Sequence, residues 1–167
     1  NSPQEYDKIF FERRKKGVDE HDYDRWKELL KNYHGGKLID IGALDSLVTV
    51  IARRKYPLDE MVGIDLASEA MNYMTKSYPS IKWVCGDVYN LQETPDNYYD
   101  YGIAGEILEH LTHPSKAIKE WFRILKPGGV LAISTPYNEA IEPGAKDLHR
   151  HLWSFDKKDF YDLTKDY

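Results

Sequence analysis

The sequence predicts an α/β protein whose core is a doubly wound, mostly parallel β-sheet with helices on both faces. Short apolar runs typical of buried strands alternate along the chain with segments whose apolar residues recur at helical spacing. Several of these apolar runs end in a glycine or an acidic residue, as strands do where they enter a turn. The alternation favours parallel pairing, because each helix is then the crossover to the next strand.

The first part of this pattern is a complete βαβ unit. Apolar runs predict strands over 38–41 and 61–64, and helical spacing predicts a helix over 47–54 between them. An acidic residue, Asp40 or Asp65, lies at the end of each strand. Since open α/β folds bind ligands at the carboxyl edge of the sheet, we expect both acids to face a ligand site.

The other elements follow from the same patterns. Two helices, one carrying Tyr6, Ile9 and Phe10 on one face and one over about 19–33, form an expected N-terminal helical cap over residues 1–36. The expected core, residues 37–167, continues with a helix over 67–76, a strand over 81–85, a surface loop over 92–99, a strand over 101–104, a helix or a turn and a helix over 107–125, a strand over 130–134, a loop over 135–154 that could form a lid, and a helix over 155–164.

The composition excludes several classes of function. With 23 basic and 28 acidic side chains the net charge is −5, which argues against a nucleic-acid or anionic-membrane surface. The basic run from Arg13 to Lys16 is typical of a solvated helix end. The sequence contains no apolar stretch near the roughly 20 residues of a membrane span. The single cysteine, Cys85, is expected to be a buried and inert thiol, as in a reducing cytoplasm.

Five short motifs occur in a recognisable order. They are Asp40-Ile41-Gly42, Val62-Gly63-Ile64-Asp65, Gly86-Asp87-Val88, the segment 105–111 and the segment 123–131. In this order the chain resembles class I S-adenosylmethionine-dependent methyltransferases, in particular the small-molecule, ubiquinone-pathway-like O-methyltransferases. The resemblance implies a Rossmann-like sheet that here lacks the family's C-terminal β-hairpin. We therefore expect a truncated core whose sheet edge is completed by a missing segment or by a partner.

The resemblance also implies the cofactor, S-adenosylmethionine, with S-adenosylhomocysteine as product. Asp40 and the turn at Gly42 would face the methionyl ammonium and carboxylate, and Asp65 would accept both ribose hydroxyls. Asp87 would accept from the adenine amino group while the Val88 amide donates to the ring. The expected cofactor-binding residues are Asp40, Gly42, Ala43, Ser46, Asp65, Leu66, Asp87, Val88 and Gly105.

The turn after the first strand departs from the family pattern. Related turns read Gly-x-Gly-x-Gly, whereas here Leu44 and Ser46 replace the second and third glycines. Such a turn can still bind the cofactor if Leu44 keeps a negative φ and points away from the ligand, and Ser46 would then cap the following helix. The same residues argue against a dinucleotide site, which requires Gly-x-Gly-x-x-Gly.

The segment from Glu106 to His110 supplies the candidate catalytic residues, Glu106 and His110. His110 is the imidazole best placed to act as a general base on an acceptor hydroxyl. On a helix, Glu106, Glu109 and His110 would share one face and could bind a divalent cation, with His151 completing the set as in metal-dependent relatives. Because many metal-free relatives look similar, we expect instead that no residue is a metal ligand, with Glu106 at the cofactor's edge and Glu109 a solvated or helix-packing residue.

These observations predict a cytoplasmic methyltransferase that acts on a small polar acceptor, with transfer expected at oxygen. The acceptor itself and the choice between oxygen and nitrogen are not encoded in the motifs. One alternative is a non-catalytic binding or scaffold domain that has lost the turn glycines. Another is a metal-dependent RNA 2′-O-methyltransferase, but the acidic balance of the chain argues against the basic groove that RNA requires.

Overall fold

The computed structural model describes residues 2–17, 20–138 and 151–167. The helices are α1 (Pro3–Lys16), α2 (Glu20–Leu29), α3 (Val48–Lys55), α4 (Ser68–Ser77), α5 (Pro114–Ile124) and α6 (Lys157–Thr164). The strands are β1 (Leu38–Ile41), β2 (Met61–Asp65), β3 (Lys82–Cys85), β4 (Tyr99–Gly105) and β5 (Leu125–Ser134), and a short 3₁₀ turn spans Leu108–His110.

The five strands form one all-parallel sheet in the order β3-β2-β1-β4-β5, as the fold class predicted. Side chains alternate between its faces, so neighbouring residues enter different cores. Leu38 packs in a core with residues of α1 to α4, whereas Ile39 packs in a second core with α5. Helices thus cover both faces, and β1 lies in the centre with all four residues buried.

Helix α1 is attached to the sheet layer through specific contacts. Ser2 and Glu5 form a reciprocal capping box at its start. Further along, the Asp7 carboxylate accepts hydrogen bonds from the Glu69 amide (2.8 Å) and the Ser68 hydroxyl (3.3 Å), at the start of α4. An acid at a helix N-terminus satisfies free amides, so α1 caps α4 and is held beside the carboxyl edge of the sheet.

Three expectations about local structure need correction. The helix predicted to reach residue 33 ends at Leu29, with a turn after it. Strand β5 starts at Leu125 rather than at residue 130, because the segment before Val130 forms a β-bulge opposite β4. Cys85 is exposed, not buried, because β3 pairs only with β2 and its last residue lies at the rim of the sheet.

None of the helices in the described ranges is long and apolar enough to cross a membrane. Most of the predicted lid over 135–154, including His149, lies outside the described residues. The part of it that the structure describes after the gap begins with His151, which lines a cavity at the carboxyl edge of the sheet.

Candidate functional site

A cavity of about 230 Å³ lies at the carboxyl ends of β1, β2 and β4. Its walls come from the turns that follow these strands, from α1 and α2, and from the 3₁₀ turn. A smaller cavity of about 70 Å³ adjoins it around the turn after β1 and shares Gly42 and Glu106 with it. The site therefore occupies the edge of the sheet that the sequence predicted.

The turn after β1 is fixed by hydrogen bonds from backbone amides. The amides of Gly42 and Ala43 both donate to the Ile64 carbonyl, at 2.8 and 3.0 Å. The Leu44 amide donates to Asp65 Oδ2 at 2.9 Å. Leu44 has a φ of +39°, so the condition of a negative φ is not met. A left-handed leucine costs about 1–3 kcal/mol, and the hydrogen bond to a carboxylate offsets about as much.

Asp65 links this turn to α4. Its second oxygen, Oδ1, accepts from the Ala67 amide at 2.8 Å, and the side chain is buried. Burial raises the pKa of the Asp65 carboxyl, and the hydrogen bonds from Ala67 and Leu44 oppose that rise. A carboxylate has about four lone-pair positions, so Asp65 can still accept from hydroxyl groups that enter the cavity.

Asp40 is the second buried acid, and it borders the smaller cavity. Its Oδ2 accepts from the Thr49 hydroxyl at 2.8 Å. Burial raises the pKa of Asp40 to about 7, with a further contribution from the negative charge of Asp65. A buried acid of this kind holds a proton while no cation lies beside it, and it loses that proton to the solvent when a cationic ligand group binds there.

Gly42 has no room for a side chain. Its φ is +76°, and an added Cβ would lie 2.3 Å from Ile107 Cδ1 and 3.0 Å from Ile107 Cβ. We expect Gly42→Ala to destabilise the protein by about 2–4 kcal/mol, from backbone strain plus the displacement of Ile107. Gly128→Ala is the matched control, since its φ is +80° with nothing within 4 Å.

Chemical denaturation of both variants separates the cost of backbone strain from the cost of displacing Ile107. The control should lose only the strain of about 1–2 kcal/mol. Equal losses in Gly42→Ala and Gly128→Ala would show that close packing against Ile107 is not what requires glycine in the turn.

Most of the other expected cofactor-binding residues line one of the two cavities, but Asp87 does not. Leu66 and Val88 line the large cavity, and Ala43, Ser46 and Gly105 line the small one. The Ser46 hydroxyl accepts from the Val48 amide at 3.3 Å, but the N-cap of α3 is Leu47 and no side chain caps the helix there, so the expectation that Ser46 caps α3 is wrong. Asp87 is exposed, accepts from the Tyr89 amide at 2.9 Å, and does not line the cavity.

The candidate catalytic segment does not form the helix face that the spacing predicted. Glu106 has a φ of +54° and precedes the 3₁₀ turn, so it does not share a helix face with Glu109 and His110. Its carboxylate instead accepts from the Ser134 hydroxyl at 2.9 Å, across the ends of β4 and β5. Both Glu106 and His110 line the large cavity.

Glu109, His110 and His151 come together in the same cavity. One potential ligand atom from each lies within 4.8 Å of the others, and the His110 and His151 ring centroids are 4.8 Å apart. Glu109 is 1% exposed, and burial raises its pKa to about 7. Its Oε2 accepts from the Thr135 hydroxyl at 2.9 Å, whereas Oε1 is buried and has no hydrogen-bond partner among the residues that the structure describes. The interpretation of Glu109 as a packing residue therefore misses a carboxylate oxygen that a ligand could use.

The sequence predicted an N-terminal helical cap, but none of the side chains of these helices was named as a site residue. Tyr6, Ile9 and Arg13 of α1 and Arg25 of α2 line the large cavity. Burial raises the pKa of Tyr6 to about 12, so its hydroxyl stays protonated. The usable signal was spacing: residues 6, 9 and 13 share one helix face, so the face that carries the apolar side chains continues into Arg13.

Comparisons with known proteins agree with this geometry. A family model described as a methyltransferase domain matches residues 39–133, more than half of the chain. A probable S-adenosylmethionine-dependent methyltransferase of Mycolicibacterium smegmatis is 30% identical over 59% of this chain and 35% of its own length. The ubiquinone/menaquinone biosynthesis C-methyltransferase of Stutzerimonas stutzeri is 33% identical over 68% of this chain and 50% of its own length. The chain thus spans half or less of the length of these two relatives.

Solved structures show the same fold at lower identity. A putative methyltransferase in complex with the Haloferax volcanii Trm112 methyltransferase activator superposes with a TM-score of 0.78 at 19% identity, over 96% of this chain and 74% of that one. The cyclase SpnF superposes with a TM-score of 0.70 at 22% identity, over 87% of this chain and 55% of that one. On the family match and the five-stranded parallel sheet, the chain belongs to the class I S-adenosylmethionine-dependent methyltransferases.

Proposed function

We propose that this chain binds S-adenosylmethionine in the cavity at the sheet edge and that the protein transfers the methyl group to a hydroxyl oxygen of a small polar acceptor. One observation carries the proposal: the same cavity of about 230 Å³ is lined by the buried acid Asp65 and by the imidazole of His110. Cofactor-binding and proton-accepting groups therefore face one space, as transfer between two bound molecules requires.

The residues around the cavity fit the three parts of the cofactor. Asp65 offers acceptor positions for the ribose hydroxyls, and Asp40 offers a negative charge for the ammonium. Leu66 and Val88 supply the apolar contacts that a purine ring needs. The loss of two turn glycines does not close the site, because Asp65 holds the amide of Leu44 in place.

The bound cofactor supplies a methyl group on a sulfonium, which is already a good leaving group, so positioning is the main task of the protein. His110 is proposed to accept the proton of the acceptor hydroxyl. Its Nε2 lies 3.9 Å from the buried Glu109 Oε1, and a carboxylate at that distance favours an imidazole that has gained a proton. The apolar side chains of Ile9 and Leu111 would exclude water from the acceptor.

The names of related enzymes point to carbon as an alternative target atom for methyl transfer. The relative from S. stutzeri is named as a C-methyltransferase, and relatives from Chlamydia trachomatis are named as demethylmenaquinone methyltransferases. Loss of a proton from an aromatic hydroxyl makes both its oxygen and the adjacent ring carbon nucleophilic, so the same base serves both reactions. Product analysis with hydroxylated aromatic acceptors distinguishes an ether from a ring-methylated product, and only the ether agrees with our proposal.

The test is a calorimetric titration of the protein with S-adenosylmethionine and S-adenosylhomocysteine, first in chelator and then with added manganese or zinc. We expect dissociation constants in the micromolar range for both ligands, with transfer of a labelled methyl group to a panel of hydroxylated acceptors. Absence of heat with either ligand in a folded sample would support a non-catalytic binding domain instead.

A divalent metal at Glu109, His110 and His151 is a second proposal, supported by the buried Oε1 of Glu109, which accepts no hydrogen bond within the described part of the chain. Two imidazoles and one carboxylate suit zinc, manganese or iron better than magnesium, which prefers oxygen ligands. A tetrahedral zinc separates its ligand atoms by roughly 3.4 Å, so the set, now within 4.8 Å, would contract slightly on binding. Bound metal would activate the acceptor hydroxyl directly, and His110 would then be a ligand rather than the base.

We expect the protein to bind about one zinc or manganese ion, and Glu109→Gln to weaken that binding at least tenfold. His113→Gln is the matched control, because His113 is on the surface near this turn but outside the cluster. Calorimetric titration with zinc or manganese measures the metal affinity of both variants. Methyl transfer that is unchanged by chelator, with no metal uptake by the wild type, would eliminate the metal proposal and leave His110 as the base.

Two further proposals concern the cellular compartment of the protein and the outer edge of its sheet. We propose the cytoplasm as the setting, because a single exposed thiol suits a reducing compartment. We also propose that a further strand covers β5, whose outer edge is unpaired in the described part of the chain and whose Val130 is exposed. That strand would come from the same protein or from a partner.

A further inference from the structure

Two arginines reach the cavities from the N-terminal helices. Arg13 of α1 and Arg25 of α2 each line both the large and the small cavity. Arg13 Nε donates to Asp45 Oδ1 at 3.0 Å, in the turn after β1, and Arg25 donates to Asp22. The side chains of Arg13 and Arg25 are 38% and 27% exposed. Separate helices thus bring two cations onto one turn.

The charges around the small cavity are of both signs and are ordered. The acids Asp40, Asp45 and Glu106 and the two arginines line the same cavity of about 70 Å³, and of these acids Asp40 is buried. An α-amino acid carries its ammonium and its carboxylate on adjoining atoms, so a site that binds one group must offer a partner for the other close by. If Asp40 takes the ammonium, the carboxylate has to meet a cation in this cavity.

We infer that Arg13 and Arg25 bind the carboxylate of the cofactor's amino-acid end and that Asp45 is a positioning residue for Arg13. The inference rests on the proposed function and deepens it. The guanidinium group binds carboxylates through parallel N–H donors with a defined plane. Asp45 occupies Nε, and the contact of Nη2 with Asp22 is 4.0 Å, longer than a hydrogen bond. The hydrogen bond at Nε fixes the plane of the guanidinium group and turns its terminal nitrogens toward the ligand.

The test compares two ligands that differ only in the amino-acid end. S-Adenosylhomocysteine carries the carboxylate, and 5′-methylthioadenosine keeps the adenosine and the sulfur without it. We expect Arg13→Gln to weaken binding of S-adenosylhomocysteine by about 10- to 100-fold and binding of methylthioadenosine by less than about twofold. Calorimetry measures both affinities, and thermal unfolding checks that α1 stays docked.

Arg14→Gln is the matched control, because Arg14 is the next residue of α1 and stacks over the Tyr73 ring at 4.1 Å instead of facing the cavities. It should change neither affinity. We expect Asp45→Asn to weaken only S-adenosylhomocysteine, by about three- to tenfold. The double variant of Arg13 and Asp45 should bind no more weakly than Arg13→Gln alone, since Asp45 acts through Arg13.

Each result decides between the possibilities. Equal losses for both ligands in Arg13→Gln would show that Arg13 only holds the helix in place, and this overturns the inference. An unchanged affinity for S-adenosylhomocysteine overturns it as well. Failure of the wild type to bind either ligand is a separate result, because it rejects the cofactor site itself and with it the proposed function.

Discussion

Asp65→Ala is expected to lower the affinity for S-adenosylmethionine and S-adenosylhomocysteine by about a hundredfold or more, which is about 3 kcal/mol. Two losses add up. The proposed ribose hydroxyls lose a charged acceptor, which costs about 1.5–3 kcal/mol. The Leu44 amide loses the partner that holds it at 2.9 Å, so the left-handed turn that shapes the cavity relaxes. Calorimetric titration of the variant measures the loss.

Controls separate the ribose contact from the turn. Asp65→Asn keeps one acceptor oxygen and nearly the same volume, so we expect a smaller loss than for alanine. Asp24→Ala removes an exposed acid of α2 that pairs with Lys27, and it should leave both affinities unchanged. Retention of micromolar binding by a folded Asp65→Ala protein would mean that the ligand site lies elsewhere.

The fold and the cofactor side of the site follow from local sequence signals. Strands β1 and β2 are short apolar runs, each ending next to an acid, and parallel pairing brings those ends to one edge whatever the details of packing. For this reason Asp40, Gly42 and Asp65 could be assigned from the sequence to one site. Cys85 was misjudged for a related reason: an apolar run indicates a strand, but not whether that strand lies at the edge of the sheet.

The remaining site residues depend on contacts between distant segments. Arg13 resembles any basic helix end in the sequence, and although helix spacing puts it on the face of Tyr6 and Ile9, its pairing with Asp45, 32 positions later, depends on the tertiary fold. The φ of Leu44 is set by the acceptor on Asp65, which local propensity does not report. Glu109 was assigned to a helix face, whereas its burial results from Thr135 and from the backbone of residues 152 and 153, whose amides donate to its carbonyl.

Asp40 is expected to make the stability of the protein fall as pH rises. Its pKa is about 7 in the folded chain against 3.8 for the unperturbed group. The folded state therefore keeps a proton that the unfolded state loses, so the stabilising contribution is complete below pH 4 and is lost as pH rises through 7. Denaturation in urea between pH 5 and 8 should show a smaller slope for Asp40→Asn than for the wild type. Asp24→Asn should keep the wild-type slope.

Affinity for the cofactor should depend on pH in the opposite direction. The ammonium favours a charged Asp40, so the pKa of Asp40 is lower in the complex and binding below pH 7 releases a proton. We expect affinity for S-adenosylhomocysteine to rise by up to about tenfold per pH unit from pH 5 to 7 and then to level off. Asp40→Asn should bind more weakly at pH 7.5 and with a flat profile. A wild-type affinity that is independent of pH, or that falls as pH rises, would show that the ammonium does not bind beside Asp40. With the ammonium beside Asp40, a rise in pH lowers the stability of the protein and raises its affinity for the cofactor.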